Sequence, residues 1–147
     1  MISIRPVTES DLDEIWRIQA VSGQVAQWNP ADYLLHRCLV AVDSGAIGSP
    51  PGFERIAGFA VARHTAPDEL EILNIAVDPP FRRRGIARGL IRQLLANYRG
   101  TIWLEVRQSN TAARQLYHAF GFQVNSVREN YYNDPSESAI VMKFHSC

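Results

Sequence analysis

The chain of 147 residues has no net charge, with 15 basic and 15 acidic side chains. Nucleic-acid and membrane-surface proteins draw their partners with excess positive charge, so neither class is indicated. Cysteine is scarce: Cys38 and Cys147 are the only two, and they form neither metal-ligand spacing nor a disulfide framework. Cys38 opens a predicted strand, where a buried inert thiol is expected. His36, His64, His118 and His145 share no ligand spacing, and no metal is expected. No apolar run approaches the ~20 residues of a membrane helix. The opening MISIRP has no apolar centre of signal-peptide length, so a cytoplasmic, reduced protein is the simplest expectation. Repeats, low-complexity segments and composition shifts are absent as well, which leaves one domain over 1–147. The apolar fraction of 46% and charged fraction of 20% suit a globular chain with one substantial core.

What is present is concentrated in Ile72 to Leu95, ILNIAVDPPFRRRGIARGLIRQLL. Ile72, Leu73, Ile75, Ala76 and Val77 form a run of strand length, as in a strand covered on both faces. Asp78-Pro79-Pro80 ends it, because proline has no amide for a sheet ladder. After Gly85, apolar Ile86, Leu90, Ile91, Leu94 and Leu95 recur at helical spacing. Between them lie Arg82, Arg83, Arg84, Gly85, Ile86 and Ala87. A helix start leaves its first N–H groups unpaired and carries partial positive charge. Gly85 and small Ala87 keep the approach to those amides open, and the arginines add charge and forked donors. The segment is built like a pyrophosphate cradle, although a solvated basic helix start reads the same way. It is not a Walker loop, since no Gly-Lys-Ser/Thr follows. It is not a dinucleotide fingerprint either, since G-x-G-x-x-G is missing.

The remaining chain alternates in type. Ile2 to Arg5 reads as a first strand. Thr8 is a helix cap with Asp11 three residues later, and Leu12, Ile15, Trp16 and Gln19 mark one face of a helix ending at Gly23. Asn29-Pro30 starts a second helix through Tyr33, Leu34 and Arg37. Trp28 before it serves either as a hydrophobic staple or as a substrate wall. Strands follow at Leu39 to Asp43, Arg55 to Arg63 (a hairpin across a flexible SGAIGSPPG loop) and from Glu69. Thr101 to Arg107 alternates, with Ile102, Leu104 and Val106 on one face and Trp103, Glu105 and Arg107 on the other. Ser109 or Asn110 caps a helix with Leu116, Tyr117 and Phe120 in its apolar stripe and Gly121 at its end. Phe122 to Asn130 and Ala139 to Phe144 make a last antiparallel pair around an Asn133-Asp134-Pro135-Ser136 turn. The expected class is α/β with a mixed (α+β) sheet, in the order β-α-α-β-β-β-α-β-α-β-β, helices on both sides. Glu105 is a candidate base, with pairing to Arg107 or Arg128 as the alternative. Tyr117 is a candidate acid, with core packing as the alternative.

Arg82-x-x-Gly85-x-Ala87 matches the R/Q-x-x-G-x-G/A motif of the GNAT N-acetyltransferases. IWLEVRQSNTAARQLYHAFGF (Ile102 to Phe122), NIAVD before the loop and RENYY after it most closely resemble the RimI type. Those enzymes acetylate the N-terminal alanine of a small-subunit ribosomal protein. The likeness is dense from Asn74 to Tyr132. It implies a GNAT-like domain with splayed central strands and acetyl-coenzyme A as co-substrate. The acceptor it implies is a protein N-terminus, with no nucleic acid, membrane or metal. It further implies that Ile75, Ala76 and Val77 hold the pantetheine arm through backbone amides. Arg82, Arg83, Arg84, Gly85, Ile86, Ala87 and Arg88 would hold the pyrophosphate, and Asn110 would bond the cofactor as well as cap its helix. Glu105 would be the base and Tyr117 the acid, with Trp28, Tyr131 and Tyr132 on the acceptor side. The family's Phe-Pro-Trp-Ser-like stretch is altered here to Ala26-Gln27-Trp28-Asn29. A lysine or small-molecule acceptor therefore stays open, as does a silent acyl-coenzyme A sensor.

Overall fold

The computed structural model describes residues 1–22, 28–133 and 136–146. Gly23, Ala26, Gln27, Asp134, Pro135 and Cys147, read above as a helix end, an altered loop, a turn and a second thiol, lie outside that set. Among the described residues seven strands form one mixed sheet: β1 (Ile2–Pro6), β2 (Arg37–Asp43), β3 (Arg55–Ala66), β4 (Glu69–Val77), β5 (Gly100–Arg107), β6 (Gln123–Asn133) and β7 (Ser136–Ser146). Their hydrogen-bonded order is β1-β2-β3-β4-β5-β7-β6. The β4–β5 ladder is parallel, and the β1–β2, β2–β3, β5–β7 and β6–β7 ladders are antiparallel. The helices are α1 (Leu12–Val21), α2 (Ile86–Leu95) and α3 (Thr111–Ala119). None of the described helices is long and apolar enough to cross a membrane. The residues form two compact units, Met1–Ala62 with Asn74–Asn97, and Arg63–Leu73 with Tyr98–Cys147.

In the first unit, β2 and β3 pair antiparallel as the expected hairpin, with Leu39 opposite Ala60, Val40 opposite Phe59 and a bulge between Ala41 and Val42. Cys38 is buried, and burial pushes its thiol up to about 12. The apolar face of α2, Ile86, Leu90, Ile91 and Leu94, is buried throughout; each such side chain contributes about 1.5–3 kcal/mol. Thr8 and Asp11 form the capping box, with the Thr8 amide donating to Asp11 Oδ2 at 2.8 Å.

Three expectations are corrected here. Ile15, Ile18 and Gln19 carry the buried face of α1, whereas Trp16 is 57% exposed. The buried stripe runs through Ile15, Ile18 and Gln19, and Trp16, about 100° round the helix from Ile15, falls outside it. The second helix is a 3-10 turn over Pro30–Leu35, capped by the Asn29 side chain, which accepts from the Ala31 amide at 3.1 Å. Only Tyr33 and Pro30 in it are buried, too narrow a stripe to propagate an α-helix. And β4 is not covered on both faces: Leu70, Ile72, Asn74 and Ala76 are buried, while the residues between them, Leu73, Ile75 and Val77 included, are half-buried.

In the second unit, β5 alternates as read, with Ile102, Leu104 and Val106 buried. β5 pairs with β7 over its whole length, Ile102 opposite Phe144 and Glu105 opposite Val141. The ladder with β4 runs Glu69–Ile72 against Thr101–Leu104. Tyr117 of α3 lies against Phe122, and Phe122 against Phe144, with ring centroids 5.7 and 5.5 Å apart.

Candidate active site

In the first unit β4 ends at Val77, and Asp78, Pro79, Pro80 and Phe81 turn the chain into the arginine-rich loop. Asp78 is buried and fixes the start of that loop. Its amide donates to the Ala57 carbonyl at 2.8 Å, and its carboxylate receives both Arg17 nitrogens at 3.2 and 2.9 Å. Arg55 adds a contact at 3.5 Å. Arg17 also pairs with Glu14. Beneath the strand end, Gly58 approaches Ala76 so closely that a Cβ at Gly58 would lie 2.8 Å from the Ala76 oxygen.

Gly85 caps α2 with φ 75, a left-handed conformation that suits glycine. A Cβ at Gly85 would meet nothing within 4 Å, so the approach to the helix start is open. The first turn of α2 closes with the Gly89 amide on the Gly85 carbonyl at 3.0 Å. The amides of Ile86, Ala87 and Arg88 therefore precede the first intrahelical bond and point outward along the dipole. Arg82, Arg83, Arg84 and Arg88 are exposed around them. Arg82 Nε is anchored on the Val77 carbonyl at 3.2 Å, and Arg84 stacks 5.4 Å from the Phe81 ring, with Arg55 5.3 Å from the same ring. Open space, outward amides and ringed guanidinium groups together fit a diphosphate.

A buried polar knot supports the neighbouring part of β4. Asn74 Nδ2 donates to Gln19 Oε1 at 3.1 Å and to the Tyr33 hydroxyl at 3.2 Å, and Tyr33 donates to Gln19. Gln19 Nε2 in turn holds the Trp28 carbonyl at 2.8 Å, while the Trp28 side chain is 40% exposed.

In the second unit, the expected proton-handling residues lie on two faces of the sheet. Phe144 and Ile102 are register partners and share a face. Glu105, three positions from Ile102, points to the other, with Trp103 and Arg107. Because Tyr117 reaches Phe144 through Phe122, it belongs to the Ile102 face. Burial pushes the Tyr117 phenol well above its ordinary value, with Tyr132 adding to the shift. Asn110 caps α3, its Oδ1 accepting from the Ala113 amide at 3.3 Å.

On its face Glu105 forms an ion pair with Arg128, not with Arg107; the Glu105 side chain is 13% exposed. Arg128 lies 4.1 Å from the centre of the Tyr131 ring, and Tyr131 meets Tyr132 edge-on at 5.1 Å. Arg107 lies 4.2 Å from the centre of the Tyr132 ring and pairs with Glu137 at 3.4 Å. Glu137 also accepts from the Ser109 amide, next to Asn110. Hydrogen bonding from Ser109 and Arg107 holds the Glu137 carboxyl below its usual range. Burial raises the phenols of Tyr131 and Tyr132, and the Glu105 charge raises both further. Among the described residues no three His, Cys, Asp or Glu side chains are grouped as metal ligands.

The anchors of the loop, Arg17 and Asp78, and the knot of Gln19, Tyr33 and Asn74 had no local signal. Their partners are up to 61 positions apart. Arg128 figured only as a possible partner of Glu105, and Glu137 not at all.

Comparison with known proteins places these features in context. Residues 9–122 match the model of the acetyltransferase (GNAT) family. Over 99 residues the chain is 42% identical to the [Ribosomal protein bS18]-alanine N-acetyltransferase of Haemophilus ducreyi, covering 63% of this chain and 68% of that protein. It is 37% identical over 119 residues to the N-alpha-acetyltransferase RimI of Mycobacterium tuberculosis, covering 79% of this chain and 74% of that one. The crystal structure of the ribosomal-protein-S18-alanine N-acetyltransferase from Escherichia coli superposes with a TM-score of 0.78 at 29% identity, covering 100% of this chain and 96% of that chain.

Proposed function

Because the chain belongs to the acetyltransferase (GNAT) family, we propose that it transfers the acetyl group of acetyl-coenzyme A to the N-terminal α-amine of a protein. An N-terminal alanine of a ribosomal protein is the first acceptor to try, since two of the relatives described above are named for that substrate. Such a reaction would belong to the cytoplasm. The observation that carries the reading is the open start of α2 at Gly85, directly after β4, with its unpaired amides and the exposed Arg82, Arg83 and Arg84 around it.

Acetyl-coenzyme A supplies an activated thioester. In the reading proposed, the amides of Ile86, Ala87 and Arg88, the opening at Gly85 and the guanidinium groups of Arg82, Arg83 and Arg84 hold its diphosphate. Backbone amides at Ile75, Ala76 and Val77 hold the pantetheine arm. An amide facing the thioester oxygen contributes about 3 kcal/mol to lowering the barrier. Asn110 uses Oδ1 for its cap, which leaves Nδ2 as the group it offers the cofactor. Trp28, Tyr131 and Tyr132 line the acceptor side.

Glu105 takes the proton of the acceptor amine. At neutral pH roughly a tenth of α-amines are neutral, against under roughly a thousandth of lysines, so a carboxylate base suffices for the former. Tyr117 remains a neutral phenol and hydrogen-bonds the leaving sulfur, giving up its proton as the carbon–sulfur bond breaks.

The test is thiol release from acetyl-coenzyme A against peptides starting with Ala, Ser, Met or Gly, an N-blocked lysine peptide and a polyamine. Turnover on free Ala-type N-termini that disappears on blocking is expected. Turnover confined to the lysine peptide or polyamine would replace the acceptor, and binding of acetyl-coenzyme A without turnover on any acceptor would make the chain a sensor.

A further inference from the structure

β6 is out of step with β7 between Arg128 and Tyr132. Arg128 lies opposite Ala139 and Tyr132 opposite Glu137, so four positions on one strand answer to two on the other. Asn130, inside this bulge, takes the left-handed conformation with φ 53, which asparagine tolerates better than most residues. In a regular strand Arg128 and Tyr131, three apart, would point to opposite faces. The bulge instead brings the Arg128 guanidinium over the Tyr131 ring at 4.1 Å.

Both residues then converge on one carboxylate. Arg128 forms its ion pair with Oε1 of Glu105, and the Tyr131 ring on which it sits has the Glu105 charge as a neighbour. A guanidinium that is 53% exposed adds little stability through such a pair. A guanidinium seated on a ring and bonded to the carboxylate does, however, restrict its rotation. Of the neighbouring charges, Arg107 pairs with Glu137 and Glu71 with Arg63, while Lys143 lies on the same face opposite Trp103.

We propose that Arg128 is a positioning residue for Glu105: seated on Tyr131 by the Asn130 bulge, it holds Oε1 and so sets the direction in which the carboxylate meets the acceptor amine. This rests on the reading of Glu105 as the base. Arg128 itself exchanges no proton, and the only proton transferred at this face passes from the acceptor nitrogen to the Glu105 carboxylate.

The experiment compares kcat, KM for both substrates and melting temperature for Arg128→Ala, Arg128→Lys, Glu105→Gln and the double variant Glu105→Gln/Arg128→Ala. The expected result for Arg128→Ala is a kcat about tenfold lower with KM for acetyl-coenzyme A unchanged, and for Arg128→Lys partial recovery. In the Glu105→Gln background the loss of Arg128 should have no further effect, because there is no carboxylate left to position. Asn130→Val should copy Arg128→Ala, and Asn130→Gly should not. Equal losses with and without Glu105, or a slow Glu105→Gln beside an Arg128→Ala at full kcat, would overturn the positioning role alone. Full kcat in Glu105→Gln would remove the base reading and this proposal with it.

Discussion

Glu105 and Tyr117 belong to opposite faces of the same β5–β7 sheet, Glu105 beside Arg128 and Tyr117 behind Phe122. The Tyr132 phenol, near Glu105 and Arg107, also acts on the Tyr117 phenol. For Tyr117→Phe the ring packing on Phe122 is kept and only the hydroxyl is lost. The expected outcome is a kcat lower by roughly 10²-fold, in the range of a lost acid or base, with the melting temperature nearly unchanged. The raised phenol also stays protonated past its ordinary value of about 10. The rate should therefore show no alkaline fall below that pH from this group. A Tyr117→Phe variant at full kcat would leave the residue a core aromatic.

Gly85→Ala tests the diphosphate site. With φ 75 an alanine is strained by about 1–2 kcal/mol, yet its methyl meets no neighbour. The protein should fold, with a lower melting temperature. The methyl instead enters the space before the amides of Ile86 and Ala87. KM for acetyl-coenzyme A should rise at least tenfold, with kcat kept at saturation. Calorimetric titration with coenzyme A and desulfo-coenzyme A checks the same point without turnover; unaltered affinity would place the diphosphate elsewhere.

Arg17→Ala leaves the Asp78 carboxylate, 2% exposed, with Arg55 at 3.5 Å as its remaining cation. Breaking a fully buried pair costs about 3–5 kcal/mol. Arg17 is 41% exposed and Arg55 stays, so about 1–2 kcal/mol is expected, the lower figure reflecting solvent screening. Urea denaturation measures it. Adding Asp78→Asn should recover part of the loss, since the unpaired charge is then gone. If the double variant is the less stable by the full sum, the pair is not what holds the loop.

Local patterns made much of this legible. The alternation of Thr101 to Arg107, the Asn110 cap, the proline stop after Val77 and the Gly85 start of α2 are each decided by neighbours in sequence. The choice of Glu105 and Tyr117 comes instead from the likeness of the LEVR and QLYH segments to the family, and their roles stand as proposed. What escaped depends on tertiary placement. Trp16 has the spacing of a core residue, but the core seats the neighbouring stripe of Ile15, Ile18 and Gln19, and Pro30–Leu35 stays 3-10 because only Tyr33 and Pro30 find a buried seat. Asn74 reads as a polar interruption in a strand until Gln19 and Tyr33, 55 and 41 positions away, close around it. The Arg128–Tyr131 stack needs a bulge that no periodicity announces.

Asp11 provides a pH test of the N-terminal capping arrangement. It is 5% exposed and receives Arg5 at 2.8 and 3.0 Å, the Thr8 amide at 2.8 Å and the Thr8 hydroxyl at 3.0 Å. Burial pushes its carboxyl up, but the bonds from Arg5 and Thr8 outweigh that, and the net shift is downward. A depressed carboxyl adds stability above its unfolded value of about 3.9 and loses it as the pH falls through the lower, folded value. At pH 7 Asp11→Asn should be less stable than the parent by about 1–2 kcal/mol. Below about pH 4 the gap should close, because the parent must then protonate the same group. Asp43 and Glu137 are also held low, so both proteins weaken in acid, and the informative quantity is the difference between them. Denaturant titrations at pH 7, 5, 4 and 3 supply it. A difference that stays constant over that range would mean that Asp11 contributes through packing rather than through its charge.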